Sequence, residues 1–397
     1  MSGFTHDQDV RVRLGCVSGF GKMLRRMNEW KKSIVTTLLA SSMSMLCVSS
    51  QALASCGAVS CFITIGSQQQ VAMEGLLTVN GIYSYTPMRL LPGTNGVIPG
   101  IDTTQRQLIL DHHQEARTIT QMATLDLNYG ITERWGLQIT IPYMWRTHHH
   151  IDGLGEDGPN GEGQSTTFSS DGLGDMRVGL KYNLLPSLRS MVVLGFGVYL
   201  PTGVTNANDS TGTLMEPTTQ LGRGQVGLNP TIYQTYELIP HRLNQFAFAS
   251  YRHTFRNNVG YQFGDQWDFN GGFNLVTVPW FVLTAQVNYR YMVHDNFSSS
   301  LLRSATPADA PDFPGEPVVI DPNIENRAVP TTGSTFLAFT PGFQISLDGM
   351  INSAWTKMTS AYFYSQIPVV RDSNNSLAQG TSFIFGVTRS FQLLNLS

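Results

Sequence analysis

Between Arg134 and Arg146 the chain reads RWGLQITIPYMWR. Trp135, Leu137, Ile139, Ile141, Tyr143 and Trp145 hold the odd positions, and Gly136, Gln138, Thr140, Pro142 and Met144 the even ones. Successive side chains of a strand point to opposite faces, so this segment has one continuous apolar face and one small or polar face. The apolar face is aromatic at both ends. That is the pattern of a strand crossing an outer membrane, with rings at the two headgroup levels and aliphatic residues between them.

The pattern recurs along the chain. On 280–294, Phe281, Leu283, Ala285, Val287, Tyr289, Tyr291 and Val293 oppose Thr284, Gln286, Asn288, Arg290 and His294. On 172–185, Met176, Val178, Leu180, Tyr182 and Leu184 oppose Asp175, Arg177, Lys181 and Asn183. On 115–131, Ile119, Ala123, Leu125, Leu127 and Tyr129 oppose Thr118, Thr120, Thr124, Asp126 and Asn128. Charge is tolerated on the inner face of a closed barrel, whereas toward lipid it costs several kcal/mol. Asp126, Asp175, Arg177, Lys181, Arg290 and His294 are therefore expected to line a narrow polar lumen of mixed sign.

Twelve segments read as strands: 71–86, 115–131, 134–146, 172–185, 190–201, 224–238, 243–256, 263–278, 280–294, 334–347, 352–367 and 379–393. Two of them, 243–256 and 352–367, alternate poorly, and their faces stay unassigned. Short connections at 132–133, 186–189, 239–242, 279 and 348–351 alternate with longer ones at 87–114, 147–171, 202–223, 257–262, 295–333 and 368–378. An up-and-down barrel with tight periplasmic turns and long outer loops has this alternation, and a soluble sandwich does not require it. The predicted fold is all-β: a twelve-stranded antiparallel transmembrane β-barrel of the outer-membrane type over 71–393. The strand TSFIFGVTRSF, with Phe383, Phe385, Val387 and Phe391 at spacing two, resembles the aromatic C-terminal strand of bacterial outer-membrane barrels, so the outer-membrane assembly machinery is an expected partner alongside membrane lipid.

Composition agrees. Only 13% of the 397 residues are charged, about half the roughly 25% of a soluble domain, yet no apolar run in the body of the chain approaches the ~20 residues of a spanning helix. Near the start, MLRRMNEWKK, a stretch of apolar and small residues over 33–50 and Ala52-Leu53-Ala54 read as a secretory signal peptide over 23–54, cleaved before Ser55. Residues 1–22 fit no part of such a signal, so the start is expected at Met23 or Met27. The leader takes more base than acid with it, leaving an acidic chain without the basic patch that nucleic acid requires.

Cys56 and Cys61 remain after cleavage. In an oxidising periplasm the pair reads as a local disulfide within a short periplasmic segment, 55–70, which could also fill part of the lumen. The competing reading is lipidation of Cys56, which leaves Cys61 single.

YGITERWGLQITIPY, GLGDMRVGLKYNLL and VLGFGVYLPTG resemble the outer-membrane barrels of the MetA-pathway family of phenol degradation, often called transporters. The similarity spans about residues 115 to 391. It implies an outer-membrane barrel near uptake or catabolic functions in a Gram-negative cell and carries over no catalytic residue.

One constellation could carry chemistry of its own. Strands 115–131 and 134–146 form a hairpin about Thr132-Glu133, so opposed positions sum to about 265, setting His113 near Asp152 and Glu115 near His150. His112, His113, His148, His149 and His150 then converge on the outer rim with Asp111, Glu115 and Asp152. Imidazole with carboxylate suits Zn, Cu or Ni; the alternative is a polar loop of solvated histidines. Elsewhere, Asp171 to Asp175 lacks the distal Glu of a calcium loop. Ser250 and His253 lie three apart on one strand, so they point to opposite faces and make no nucleophile–base pair. The predicted function is passage of a small solute across the outer membrane without enzymatic activity. The second reading is a non-conducting barrel that binds metal or partners through its outer loops.

Overall fold

The computed structural model describes residues 62–393 apart from 103–106, 153–163, 188, 209–213, 299, 303–319, 322–327, 352 and 354–355. The expected leader and the Cys56–Cys61 pair lie outside the described residues. No helix among the described residues is long and apolar enough to cross a membrane; the crossing is made by strands.

Twelve strands form the wall: β1 Leu76–Arg89, β2 Gln107–Gly130, β3 Trp135–Asp152, β4 Gln164–Leu173 continued as Met176–Asn183, β5 Ser190–Leu200, β6 Gly227–Ile239, β7 Leu243–Thr254, β8 Gln266–Val278, β9 Phe281–Met292, β10 Ser334–Ser346, β11 Thr359–Asp372 and β12 Ser382–Gln392. Each pairs antiparallel with the next, and β12 returns to β1 from Leu76↔Gln392 to Tyr85↔Phe383. Closure leaves the wall without an edge, so no strand presents an unpaired ladder to lipid. Shorter strands, Val97–Asp102, Tyr261–Gln262, Asn296–Phe297, Ser300–Leu302 and Ile320–Asp321, belong to the long outer connections.

All twelve expected strands are present, with three corrections of extent. First, β2 begins at Gln107 and β3 runs to Asp152, so the histidines expected in loops stand on a paired hairpin. Above the membrane neither face of a strand meets lipid, so the alternation of apolar with polar residues is lost there. Second, β11 is Thr359–Asp372 rather than 352–367, and the turn before it is a longer one, with Met350 and Ile351 N–H donating to Leu347 O. Third, of the segment 55–70, expected in the periplasm or filling part of the lumen, residues 62–70 lie inside the barrel.

The outward residues form the expected apolar belt. Leu125, Leu180, Phe196, Ile232, Leu283, Val287, Phe339, Phe385 and Val387 are all exposed large hydrophobics, and their inward neighbours Thr124, Thr284, Gln286, Asn288, Ile384 and Thr388 are buried. Trp135 packs on Tyr182 near the periplasmic turns, and Tyr143 on Trp145 and Tyr251 on Trp267 near the outer ends, with ring centroids 4.7, 4.8 and 4.3 Å apart. From Trp135 to Trp145 is ten residues, which at ~3.3 Å each and a tilt of ~40° spans about 25 Å, the height of an outer-membrane apolar band. Val287, midway along β9, is expected to tolerate no charge: Val287→Arg should lower the urea stability of the barrel in lipid vesicles by about 2–4 kcal/mol. An unchanged midpoint would place that face away from lipid.

Candidate functional site

The lumen is occupied by the chain's own N-terminal segment. Phe62 to Val71 runs down through the barrel, turns at Glu74 and Gly75, and enters β1, with Gly75 N–H donating to Gly130 O. Phe62 packs edge-on against Phe336 at 5.6 Å beside Ala338, and the Arg290 guanidinium lies 3.8 Å over its ring. Ile65 packs with Tyr362, Tyr364 and Ile384. Val71 packs with Val193, Tyr233 and Phe246. Room for these rings comes from wall glycines: a Cβ on Gly342 would meet the Tyr364 ring at 2.2 Å, and one on Gly386 the Tyr362 ring at 2.3 Å.

Wall side chains satisfy the backbone of the plug. Gln366 donates to Phe62 O at 3.2 Å, Asn128 to Gln70 O at 2.9 Å, and Lys181 Nζ to Gln68 O. Thr64 N–H donates to Gln286 Oε1 at 3.0 Å, and Asn270 Nδ2 to Thr64 Oγ1 at 3.1 Å. A one-turn helix, Gly66–Gln69, follows. Buried polar backbone without partners is costly, so this set of amides and one ammonium makes a specific socket for the segment.

The plug separates two cavities. The outer one, about 320 Å³, is lined on the plug side by Phe62, Ile63 and Ile65, on the barrel side by Arg146, Arg177, Arg252 and Arg290 against Asp126, Asp175 and Asp268, and from the β5–β6 connection by Arg223. The other, about 380 Å³, lies toward the periplasmic end beside Tyr233, Glu237, His241 and Arg242. Most charged groups of the outer cavity are hydrogen-bonded. Asp268 accepts from Arg290 Nε at 2.7 Å, and Asp126 accepts from Gln138 at 2.7 Å and Thr140 at 2.8 Å. Arg252 is less well matched. Its guanidinium lies 3.7 Å over the Tyr199 ring and 3.8 Å from Asp175, and its buried Nε has no hydrogen-bond partner among the described residues.

Above this cavity the connection between β5 and β6 folds back over the mouth. Arg146 Nη1 donates to Thr219 O at 2.9 Å and Gln220 O at 3.0 Å, and Asp175 accepts from Gly203 N–H and Arg223 N–H. Gly203 and Gly222 touch backbone to backbone, since a Cβ on Gly203 would sit 2.5 Å from Gly222 Cα. Ile101, Leu108, Tyr261, Phe263, Phe297 and Val329 form a small core among the outer loops. Asp295 anchors it, accepting from the Tyr261 hydroxyl and from Gly264 N–H, and burial pushes its carboxyl above the usual carboxylate range.

The histidine rim stands on the extended β2–β3 hairpin. The expected register holds, with His113 opposite Asp152 and Glu115 opposite His150, and shifts by one at a bulge between Glu115 and Arg117. Glu115 is fully buried. Its Oε1 is 3.5 Å from His113 Nε2 and its Oε2 3.4 Å from His148 Nε2, and neither oxygen has a hydrogen-bond partner among the described residues. His148 Nδ1 bonds Thr118 Oγ1 at 2.7 Å, and the His150 ring lies 5.2 Å from those of His113 and His148.

The sequence missed Glu216. It reaches the rim from the β5–β6 connection, accepting from Ile101 N–H at 3.1 Å and lying 3.9 Å from His113 Nδ1. Burial pushes its carboxyl up, and the neighbouring His113 opposes the shift. No local signal marks it, because its partners are about a hundred residues away.

Of the six residues expected in the lumen, Asp126, Asp175, Arg177 and Arg290 line the outer cavity and Lys181 holds the plug. His294 lies beyond the end of β9, its Nδ1 3.3 Å from Val329 O, and so belongs to the outer loops. Of the expected rim set, His112, His113, Glu115, His148 and His150 converge. His149 points out of the cluster to Thr167 Oγ1 and Ser165 Oγ, as strand alternation requires of a neighbour of His148 and His150. The side chain of Asp152 lies outside the described residues. Ser250 and His253 stay apart, each with its own aspartate, Asp268 and Asp265.

Residues 111–293 match the model of the family described as "Putative MetA-pathway of phenol degradation", in agreement with the resemblance read from the sequence. Among solved structures, an outer membrane channel from Pseudomonas putida F1 aligns with a TM-score of 0.50 at 10% identity, covering 83% of this chain and 100% of that one. The toluene transporter TodX of Pseudomonas putida aligns at 0.37 and 12% identity, covering 81% of this chain and 90% of that one. The translocator domain of the autotransporter NalP from Neisseria meningitidis aligns at 0.38 and 9%, covering 82% and 92%. No curated protein matches the chain. The fold is that of an outer-membrane barrel, and the outer membrane of a Gram-negative cell is its location.

Proposed function

From an outer-membrane barrel whose residues 111–293 carry the signature of that phenol-degradation family, we propose a gated passage for a small anionic solute with an aromatic ring. The observation that carries this reading is the outer cavity. Its lining holds five arginines against three aspartates, and it is bounded by aromatic rings and closed by segments that are not part of the wall. A barrel serving only as a scaffold is filled by its own wall side chains, whereas here the filling is a separable segment below and a loop above. A volume of about 320 Å³ is at the lower end of small-molecule sites and accepts one ring.

Arg252 is the expected contact for the anion. Its guanidinium lies 3.7 Å over the Tyr199 ring and is incompletely bonded among the described residues, which sets a cation beside an aromatic ring face for a carboxylate or phenolate. The family description, a pathway acting on phenol, is consistent with such a solute. Reversal potentials across a potassium chloride gradient, measured on the barrel lacking its plug, should show preference for the anion, and Arg252→Gln should reduce that preference. Cation preference in both proteins would overturn the assignment of charge.

The plug within the lumen and the loop over its outer mouth support a second reading, a closed barrel acting through its outer loops. Conductance separates the two, since a closed scaffold stays silent after the plug is removed.

A further inference from the structure

The outer rim brings together donors that solute passage does not use. His112 Nδ1 and His113 Nδ1 face each other at 3.0 Å, Glu216 Oε1 lies 3.9 Å from His113 Nδ1, and the ligand atoms of the three residues all lie within 4.8 Å of one another. Metal–ligand bonds of ~2.0–2.1 Å in a tetrahedral site place donor atoms about 3.3 Å apart, and these separations bracket that value. The second observation is Glu115. A fully buried carboxylate with no hydrogen bond to either oxygen among the described residues is costly, yet Glu115 Oε1 faces the other ring nitrogen of His113 at 3.5 Å. Carboxylate, imidazole and metal in a row is the arrangement in which the outer partner fixes the tautomer and raises the basicity of the ligating ring.

We propose that His112 Nδ1, His113 Nδ1 and a Glu216 oxygen bind one divalent transition metal ion at the outer mouth, with Glu115 as the positioning residue that holds the His113 proton on Nε2. Two imidazoles and a carboxylate suit Zn, Cu or Ni, and solvent completes the coordination. The ligands come from two segments of the chain, the β2 extension and the β5–β6 connection, and Ile101 from a third bonds Glu216. The ion therefore clasps the loop that covers the lumen to the wall of the barrel. Gly100 is part of the site by what it lacks, since a Cβ there would meet His112 Cγ at 2.4 Å. This site stands whether or not the lumen conducts.

The test is calorimetric titration of zinc chloride into the refolded mature chain in detergent, with folding of each variant checked by heat-modified migration. One saturable site per barrel is expected. His112→Ala combined with Glu216→Gln should lose it, and His112→Ala alone, a change at an exposed ring, guards against misfolding of the pair. Glu115→Gln should keep the site but weaken it by about 10–100-fold, without altering the urea midpoint of the metal-free barrel by a comparable factor. His149→Ala should bind as the parent does. A folded parent with no saturable zinc binding, or a site that survives in the double variant, would overturn the assignment. An unweakened Glu115→Gln would remove Glu115 from it.

Discussion

Asp268→Ala should lower the stability of the barrel by about 3–5 kcal/mol, the cost of leaving one member of a buried ion pair without its partner. Asp268 Oδ1 accepts from Arg290 Nε at 2.7 Å, and Oδ2 accepts from Gln266 at 2.8 Å and Ser250 at 3.3 Å. The side chains of the pair are 9% and 4% exposed, so water cannot take over the role of the carboxylate at Arg290. The effect should be readable as a shift of the urea midpoint in lipid vesicles. Replacing both partners, Asp268→Leu with Arg290→Met, should cost less than the single change, because no uncompensated charge stays buried. If the single and double variants lose the same stability, the pair is solvated and the lumen is wetter than the structure implies.

Phe62→Ala should have the largest effect on passage. The ring is buried between Phe336 and the Arg290 guanidinium, and removing a buried phenylalanine costs about 3–5 kcal/mol. The loss should fall on docking of the plug and not on the barrel, whose wall is closed by β1–β12 pairing without it. At ~1.4 kcal/mol per tenfold, a loss of about 3 kcal/mol shifts the docked-to-released ratio by on the order of 100-fold. Open-channel events should become frequent while the urea midpoint barely moves. A variant that conducts like the parent would mean that the ring is not what holds the segment.

The plug also explains where the sequence was hard to read. Regular alternation marks stretches such as 135–145 because one face meets lipid and the other meets polar side chains. The two segments that alternate poorly, 243–256 and 352–367, have aromatic residues on the inner face as well. Phe246 packs on Val71, with Phe248 against the same cluster, and Tyr362 and Tyr364 pack on Ile65. Apolar residues on both faces erase the period of two, and the reason is a partner more than a hundred residues away in sequence. In FITIGSQQQV, over 62–71, the apolar residues that dock in the lumen look no different from those of a short strand.

The rim was legible in part. Counting across the Thr132-Glu133 turn places Glu115 opposite His150; from Gly130↔Gly136 to Arg117↔His149 the structure is one residue off that count, and the bulge between Glu115 and Arg117 brings the outermost pairs into it. Period two then separates His148 and His150, which face in, from His149, which faces out. Glu216 was not legible, because a loop residue that returns from a distant connection has no periodicity to betray its direction. His294 was misplaced for the opposite reason: alternation was carried past Met292, where β9 ends.

Planar-bilayer conductance of the chain from Ser55 onward beside the same chain lacking residues 55–71 tests the account most directly. A parent that is closed most of the time and a truncated barrel giving steady stepwise conductance would establish a lumen closed by its own N-terminal segment. A truncated barrel that is folded and silent, or a parent that conducts equally well, would contradict it.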